Sequence, residues 1–180
     1  MKILAQLIRQ LTVSPINYKL VGNIPYYITG KLLRIVGESE PKPTRSVLTV
    51  QKEVAERLSA KPPKMNRLAA SVQFWAEPEI IAVLSKNEFR PKPKVDSAVV
   101  RLESRIQNLE SRKVTPDKYY QAVRILFQQP RKTIMNNLLA AGKTDKRGFF
   151  AQELQKIGID PNARPQNLSI EQILNISPFV

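Results

Sequence analysis

The pattern of apolar and polar positions divides this sequence into a part that alternates between strands and helices and a later part that is helical throughout. Period-two alternation and β-branched residues predict strands, whereas apolar residues three and four positions apart predict helices. A helix is expected to begin at Thr29 as its N-cap, and another over Glu53–Ala60. Residues 67–75 fit either a helix or an extended run. Four short segments predict strands: Tyr18–Gly22, Arg45–Gln51, Glu79–Leu84 and Ala98–Glu103.

The C-terminal part carries successive start and stop signals for helices. Thr115-Pro116-Asp117 combines an N-cap residue, a proline at the first helical position and an early acid, and residues 130–133 open a second helix. A third helix, Phe149–Ile157, is closed by the glycine that follows it, and Ser169 with Gln172 forms a capping box. The pattern therefore predicts an α/β fold, with a sheet domain over residues 1–104, a polar linker over 105–114 and a small all-helical domain over 115–180.

The loop Asn23-Ile24-Pro25-Tyr26, which ends the first strand, is the first candidate for chemistry. Proline cannot donate to a sheet ladder, so Pro25 ends the strand, and open α/β sheets bind ligands at the carboxyl ends of their strands. The Asn23 side-chain oxygen and the Ile24 carbonyl can accept the two hydrogens of an adenine amine, which localises the nitrogen lone pair. Tyr26 can stack under the extruded base. The alternative is an ordinary turn, since short loop motifs recur by chance.

The composition restricts the chemistry further. The sequence contains no cysteine and no histidine, which excludes disulfides, thiolate nucleophiles, imidazole bases and the common zinc sites. Lys and Arg number 29 against 15 Asp and Glu, and the net charge of +14 favours a polyanion. No apolar run approaches a membrane span, and no basic amphipathic helix has a bulky apolar face. Nucleic acid is therefore the expected partner, with a ribosomal or chromatin-like structural protein as the alternative; neither a membrane nor a metal is expected.

A second candidate segment, Lys86–Lys94, places four cations around Phe89. Two prolines stiffen the segment, so Phe89 would be presented with little conformational entropy to lose. The alternative is that Phe89 fills the edge of the core. The basic, proline-rich residues 61–67 either contact phosphate or only connect two elements, because phosphate contacts have no sequence signature.

These two loops together resemble those of the KsgA-type 16S rRNA adenine dimethyltransferases. Enzymes of that family carry an N-L/I-P-Y loop followed downstream by F-x-P-x-P-K-V-D-S-A-V-V, which stands here at residues 89–100. The resemblance extends from about Tyr18 to the C-terminus and includes Gln51–Leu58 and Gly158-Ile159-Asp160-Pro161. The second motif is long and specific, whereas the first motif alone is not specific for this family.

The resemblance implies a Rossmann-like methyltransferase domain, followed by the helical domain, that dimethylates two adjacent adenines in the 3′-terminal hairpin of small-subunit rRNA with S-adenosyl-L-methionine. Asn23, Ile24 and Tyr26 would be catalytic, Asn23 would also face the cofactor, and Tyr26 and Phe89 would stack on the adenine. The expected partner is small-subunit rRNA or a pre-30S particle, bound by a monomeric, cytoplasmic enzyme. Five cations are the candidate RNA contacts: Arg90, Lys92, Lys94, Arg131 and Lys132.

The sequence departs from that family in the segments that bind the cofactor. Where the family has a G-D-A/I-L segment, this chain has Met1-Lys2-Ile3-Leu4, so it is expected to begin within the Rossmann-like domain. Its six glycines are not spaced as G-x-G-x-G or G-x-G-x-x-G, so no glycine-rich cofactor turn is predicted. Two alternatives therefore stay open: a non-catalytic rRNA-binding remnant, and an Erm-type 23S rRNA methyltransferase, which shares the N-x-P-Y loop and the phenylalanine.

Overall fold

The computed structural model describes residues 17–105, 114–142 and 146–180. They form two compact units. The sheet unit contains the described residues up to Ser59 and those from Val72 to Arg105, and the helical unit contains Ala60–Ser71 with the residues from Val114 onward. The segment Ala60–Ser71 thus belongs to the helical unit, although it lies between two strands in the sequence. The division at residues 104 and 115 stays a prediction, and the predictions for Met1–Leu4 and for most of the linker lie outside the described residues.

The sheet unit is built on a mixed sheet of four strands in the order β1-β2-β4-β3. β1 (Lys19–Asn23) runs parallel to β2 (Arg45–Gln51), whereas β4 (Ser97–Ser104) is antiparallel to both β2 and β3 (Ala76–Leu84). The four strands predicted from the apolar pattern are confirmed, with ends that differ by at most a few residues. This arrangement, with helices after β1 and β2, confirms the predicted α/β fold.

The two central strands alternate as their burial requires. Leu48 and Val50 of β2 lie on the same face as Val100 and Leu102 of β4, and all four side chains are buried. The opposite face carries ion pairs between strands, including Arg45 Nε with Glu103 Oε1 at 2.6 Å. Such partly exposed pairs contribute little to stability, so the apolar face holds the sheet in place.

Three helices lie between these strands in the sequence: α1 (Thr29–Glu38), α2 (Lys52–Leu58) and α3 (Arg67–Gln73), of which α3 lies mostly in the segment assigned to the helical unit. α1 buries Leu32, Leu33 and Val36, and its Gly37 lies against Trp75, which is 2% exposed. The prediction that Thr29 is an N-cap is wrong. A 3₁₀ turn over Tyr26–Ile28 runs directly into the helix, so Ile28 holds the cap position and Thr29 is the first helical residue.

The helical unit contains four further helices among its described residues: α4 (Pro116–Leu126), α5 (Ile134–Ala140), α6 (Arg147–Lys156) and α7 (Ile170–Ile176). The apolar face predicted for the first of them is confirmed, since Tyr119, Val123, Leu126 and Phe127 are buried. The predicted capping box of Ser169 and Gln172 is present, and Gly158 follows α6 with a φ of 68°, the left-handed conformation expected at a helix end.

The segment Ala60–Ser71 is joined to the helical unit by hydrogen bonds. The Met65 amide donates to the Gln166 carbonyl at 3.0 Å, and the buried Tyr119 hydroxyl donates to the Ala70 carbonyl at 2.9 Å. Met65 itself is buried. The basic loop of residues 61–67 is therefore carried by the helical unit.

Candidate functional site

The candidate site lies at one edge of the sheet, where the ends of β1, β2 and β3 and the start of β4 lie together. β1 ends at Asn23, which pairs with Thr49, and β2 ends two residues later at Gln51, which pairs with Ser97 at the start of β4. Ser97 also pairs with Leu84 at the end of β3. The loop after β1 and the loop between β3 and β4 therefore leave the sheet at the same edge, which is the carboxyl edge of the parallel pair.

The loop after β1 presents a short polar and aromatic segment at this edge. Asn23 is the last paired residue of β1 and is exposed. Pro25 then ends the ladder, and its carbonyl accepts from the Ile28 amide at 3.1 Å, which closes the 3₁₀ turn. Of the two tyrosines in that turn, Tyr26 is half-buried, whereas Tyr27 is 89% exposed.

Tyr26 connects the two motif segments. Its hydroxyl oxygen lies 2.6 Å from the Ser97 Oγ, and the two residues are 71 positions apart in the sequence. Ser97 is fully buried and Tyr26 is half-buried, so this hydrogen bond is partly shielded from water. Sequence reasoning assigned no role to Ser97, although it lies within the P-K-V-D-S-A run that carried the resemblance.

The loop between β3 and β4 is closed at its base by local hydrogen bonds. Ser85 caps a 3₁₀ turn over Lys86–Glu88 in a capping box with Glu88. The Lys86 amide donates to the Asp96 Oδ1 at 3.0 Å, which links the two ends of the loop. Phe89 follows the turn directly and is half-buried. Its predicted stacking role stays a prediction, but the loop that carries it is fixed and leaves the sheet at the same edge as Asn23.

Cations surround Phe89 on this loop. Arg90, Lys92 and Lys94 are all exposed, as their predicted contact with RNA requires. An open cleft nearby is lined by Lys52 and Glu53 at the start of α2 and by Lys86, Val95 and Asp96 of the loop. Asn23, Tyr26 and Phe89 are not among its lining residues, so the cleft adjoins the loop without forming the predicted base site.

The start of β1 is fixed independently of the loop. The Tyr18 hydroxyl donates to the Pro41 carbonyl at 3.0 Å, and the Thr44 amide donates to the Tyr18 carbonyl at 2.9 Å. Burial raises the pKa of the Tyr18 phenol above its ordinary value, so the group stays a neutral donor.

The two cations predicted in the helical unit, Arg131 and Lys132, are exposed in the turn before α5. The side chain of Asn137, which is 1% exposed, holds this turn by hydrogen bonds to its backbone. Its side-chain amide donates to the carbonyls of Gln129 and Thr133 at 3.1 and 3.0 Å, and its oxygen accepts from the Gln129 amide at 2.9 Å. Sequence reasoning missed Asn137, because an asparagine within a helical pattern gives no sign of what it holds.

Across residues 17–105, 114–142 and 146–180, no cluster of acidic side chains could hold a metal ion, and no helix is long and apolar enough to cross a membrane. The groups at this edge of the sheet are an amide, backbone carbonyls, phenols and a neighbouring set of cations. That combination suits a planar base with an exocyclic amine at the end of a polyanionic chain.

Comparison with known proteins assigns the chain to a family. Residues 5–180 match the family model described as ribosomal RNA adenine dimethylase. The chain belongs to this family. The resemblance inferred from the two motif segments is thereby confirmed, and the segments joined by Tyr26 and Ser97 are those on which it rested.

Similar proteins include the ribosomal RNA small subunit methyltransferases A of Nostoc punctiforme, at 40% identity over 161 residues, and of Dehalococcoides mccartyi strain 195, at 38% over 157 residues. These alignments cover 86% and 87% of this chain but 54% and 53% of the relatives, so the chain spans about half of their length.

Two solved structures share the fold. A dimethyladenosine transferase from Plasmodium falciparum superposes with a TM-score of 0.75 at 24% identity, over 92% of this chain and 67% of that one. The 23S rRNA methyltransferase ErmE superposes with a TM-score of 0.66 at 25% identity, over 94% and 68%. The higher score belongs to the dimethyladenosine transferase, and the curated relatives are named for the small subunit.

Proposed function

We propose that this chain carries the adenine-receiving and RNA-binding part of an rRNA adenine dimethyltransferase that acts on small-subunit rRNA. The observation that carries the proposal is the 2.6 Å hydrogen bond between Tyr26 and Ser97, because it joins the two family segments at the carboxyl edge of the sheet. The similarity to small subunit methyltransferases supports the choice of RNA. The target we propose is the pair of adjacent adenines in the 3′-terminal hairpin of 16S rRNA.

The chemistry at this edge can activate a poor nucleophile without a general base of the usual kind. An adenine amine has its lone pair delocalised into the ring. Two acceptors, the Asn23 side-chain oxygen and the Ile24 carbonyl, hold its two hydrogens and draw the nitrogen toward tetrahedral geometry. Asn23 is exposed at the end of β1, so an extruded base can reach it. Tyr26 and Phe89 supply the stacking faces.

The methyl donor of such a reaction is S-adenosyl-L-methionine, which supplies an electrophilic methyl group. The residues described here do not fit a complete site for it: the glycines of the chain lack the spacing of a phosphate- or nucleotide-binding turn, and Asn23 is the one position that we assign to the donor side. We therefore assign to this chain the capture and orientation of the adenine.

Exposed cations in both units support RNA as the partner. Arg90, Lys92 and Lys94 flank Phe89, and Arg131 and Lys132 lie in the turn held by Asn137. The described residues of the helical unit contain 11 Lys and Arg against 4 Asp and Glu, so this unit carries an excess of positive charge. Phosphate contacts of this kind fix position and supply affinity, whereas the base contacts decide which nucleotide is taken.

The test is a hairpin RNA of the 16S 3′ end in which one of the two adjacent adenines is replaced by 2-aminopurine, whose emission changes when the other adenine, which keeps its N6 amine, leaves the base stack beside it. With RNA-saturated protein, we expect the unaltered chain to change the emission, and Tyr26→Ala and Phe89→Ala to abolish the change. Tyr27→Ala is the matched control, because Tyr27 is the adjacent, exposed aromatic residue. An RNA complex with unchanged emission would identify the chain as a non-catalytic RNA-binding remnant instead.

The Erm-type alternative is separated in the same assay. A 2-aminopurine placed in a 23S rRNA hairpin should show no emission change at protein concentrations that saturate the 16S hairpin. Selective capture from the 23S hairpin would replace the small-subunit assignment with the Erm-type one, while leaving the adenine site in place.

A further inference from the structure

Two consecutive residues, Asp96 and Ser97, hold the two loops that carry the proposed stacking residues. Ser97 is the first residue of β4, is fully buried, and bonds through its hydroxyl to the Tyr26 hydroxyl at 2.6 Å. Asp96 precedes it and accepts the Lys86 amide through Oδ1 at 3.0 Å. One point of the backbone therefore fixes both the tyrosine after β1 and the base of the loop that presents Phe89.

This point is itself anchored on the sheet. The Asp96 carbonyl accepts the Lys52 amide at 3.0 Å, where α2 begins. Ser97 pairs with Gln51 on one side and with Leu84 on the other. Because neighbouring Cα atoms are about 3.8 Å apart and cannot change that separation, the attachment points of the two loops keep a fixed spacing.

The Ser97 hydroxyl differs in its contacts from that of a second buried serine in the central strands. Ser46 is a buried serine on the neighbouring strand β2, 1% exposed, and its hydroxyl has no hydrogen-bond partner within the described residues. The Ser97 hydroxyl, in contrast, is hydrogen-bonded to the Tyr26 hydroxyl. A bond at this end of the side chain restrains the orientation of the tyrosine ring.

We infer that Asp96 and Ser97 are positioning residues. They set the orientation and spacing of Tyr26 and Phe89, the two aromatic side chains proposed to stack on the adenine. Ser97 holds the Tyr26 ring through its phenol, and Asp96 holds the Phe89 loop closed through the Lys86 amide. Neither residue touches the base. The inference rests on the proposed function, because the spacing of the two aromatic rings matters only if an adenine lies between them.

The test measures base capture separately from RNA binding. Capture is read from the 2-aminopurine emission of the hairpin at saturating protein, and affinity from a titration of the unlabelled hairpin. Ser97→Ala and Tyr26→Phe should each lower the capture equilibrium constant by about threefold to tenfold, the effect of one hydrogen bond. RNA affinity should stay unchanged, and the double variant should be no worse than either single one, since both changes remove the same bond.

Matched variants distinguish positioning from stability. Ser46→Ala makes the same change at a buried serine without a partner and should leave capture unchanged. Asp96→Asn keeps an acceptor oxygen for the Lys86 amide and should retain capture, whereas Asp96→Ala should lower it. Tyr26→Phe leaves the buried serine untouched, so it remains informative if Ser97→Ala fails to fold.

The outcomes separate the inference from the proposed function. Capture by Ser97→Ala and Tyr26→Phe at the level of the unaltered chain would overturn the inference and leave the proposed function standing. Losses in these variants that are additive, or that are matched by Ser46→Ala, would also overturn it. No emission change with the unaltered chain would overturn the proposed function and, with it, the positioning role.

Discussion

Gly37 in α1 offers a sharp test of how the helix behind the Asn23 loop is held. A Cβ at this position would lie 2.6 Å from Trp75 Nε1 and 3.0 Å from Trp75 Cδ1. The first distance is shorter than real Cβ contacts and the second is tighter than most of them. Trp75 is 2% exposed, so the indole has little room to move. Gly37→Ala should therefore destabilise the sheet unit.

The magnitude follows from two opposing effects. Overpacking a buried contact costs about 1–3 kcal/mol. Replacing glycine by alanine in a helix returns up to about 1 kcal/mol, and less near a helix end. The free energy of unfolding should therefore fall by about 1–2 kcal/mol. Gly30→Ala is the matched control in the same helix. Apart from the neighbouring backbone of the helix itself, no atom of the described residues lies within 4 Å of a Cβ at that position, so the change should be neutral or stabilising by up to about 1 kcal/mol.

Urea unfolding followed by the emission of Trp75, the single tryptophan of the chain, measures both variants. A midpoint for Gly37→Ala at or above that of the unaltered chain would show that α1 does not pack on Trp75 as described. Equal losses in Gly37→Ala and Gly30→Ala would show that the effect comes from the helix backbone and not from the contact.

Three further predictions concern function. Asn23→Ala, in a version of the enzyme complete for cofactor binding, should lose most methyl transfer at nearly unchanged RNA affinity, because phosphate contacts dominate binding; near-normal dimethylation in a labelled-methyl assay would remove Asn23 from the mechanism. Arg131→Gln and Lys132→Gln should each reduce the slope of log affinity against log salt by about 0.7–0.9, while Lys156→Gln, which alters a lysine paired with Glu153 at 2.6 Å, should not; equal slopes for all three would place the RNA elsewhere. Calorimetry of the 180-residue chain with S-adenosylmethionine should detect no micromolar binding, because one hydrogen bond at Asn23 nets about 0.5–1.5 kcal/mol against roughly 8 kcal/mol required; micromolar affinity would show that the chain holds the cofactor by residues not assigned to it.

Local signals in the sequence were sufficient for most elements of the fold. The strands follow from alternation and β-branching. The helix start after Thr115 follows from the proline and the acid in its first turn, and the cap at Ser169 follows from a side chain that bonds to its own backbone. Thr29 failed as a cap because the decisive event was the 3₁₀ turn before it, which the composition of Tyr26–Ile28 does not signal. Periodicity also gave no indication that Ala60–Ser71 packs with the helical unit, since that depends on the distant partners Gln166 and Tyr119.

Some residues of the candidate site could be predicted from the sequence, and others could not. Asn23, Tyr26 and Phe89 could be proposed from chemistry and resemblance, because each carries a recognisable group in a loop at a strand end. The roles of Ser97 and Asp96 could not, because a serine at a strand start and an aspartate in a loop are common, and their partners lie 71 and 10 residues away. Asn137 was missed for the same physical reason. Its side chain forms hydrogen bonds with backbone groups of Gln129 and Thr133, which come within reach only in the folded turn.

The most direct measurement is the position of the target adenine in a crystal structure of this chain bound to the 16S 3′-terminal hairpin. The account predicts that the base has left the RNA stack and lies between Tyr26 and Phe89. Its N6 atom should be within hydrogen-bond distance of the Asn23 side-chain oxygen and the Ile24 carbonyl. An adenine that remains stacked in the hairpin, with the protein contacting phosphates alone, would contradict the central claim.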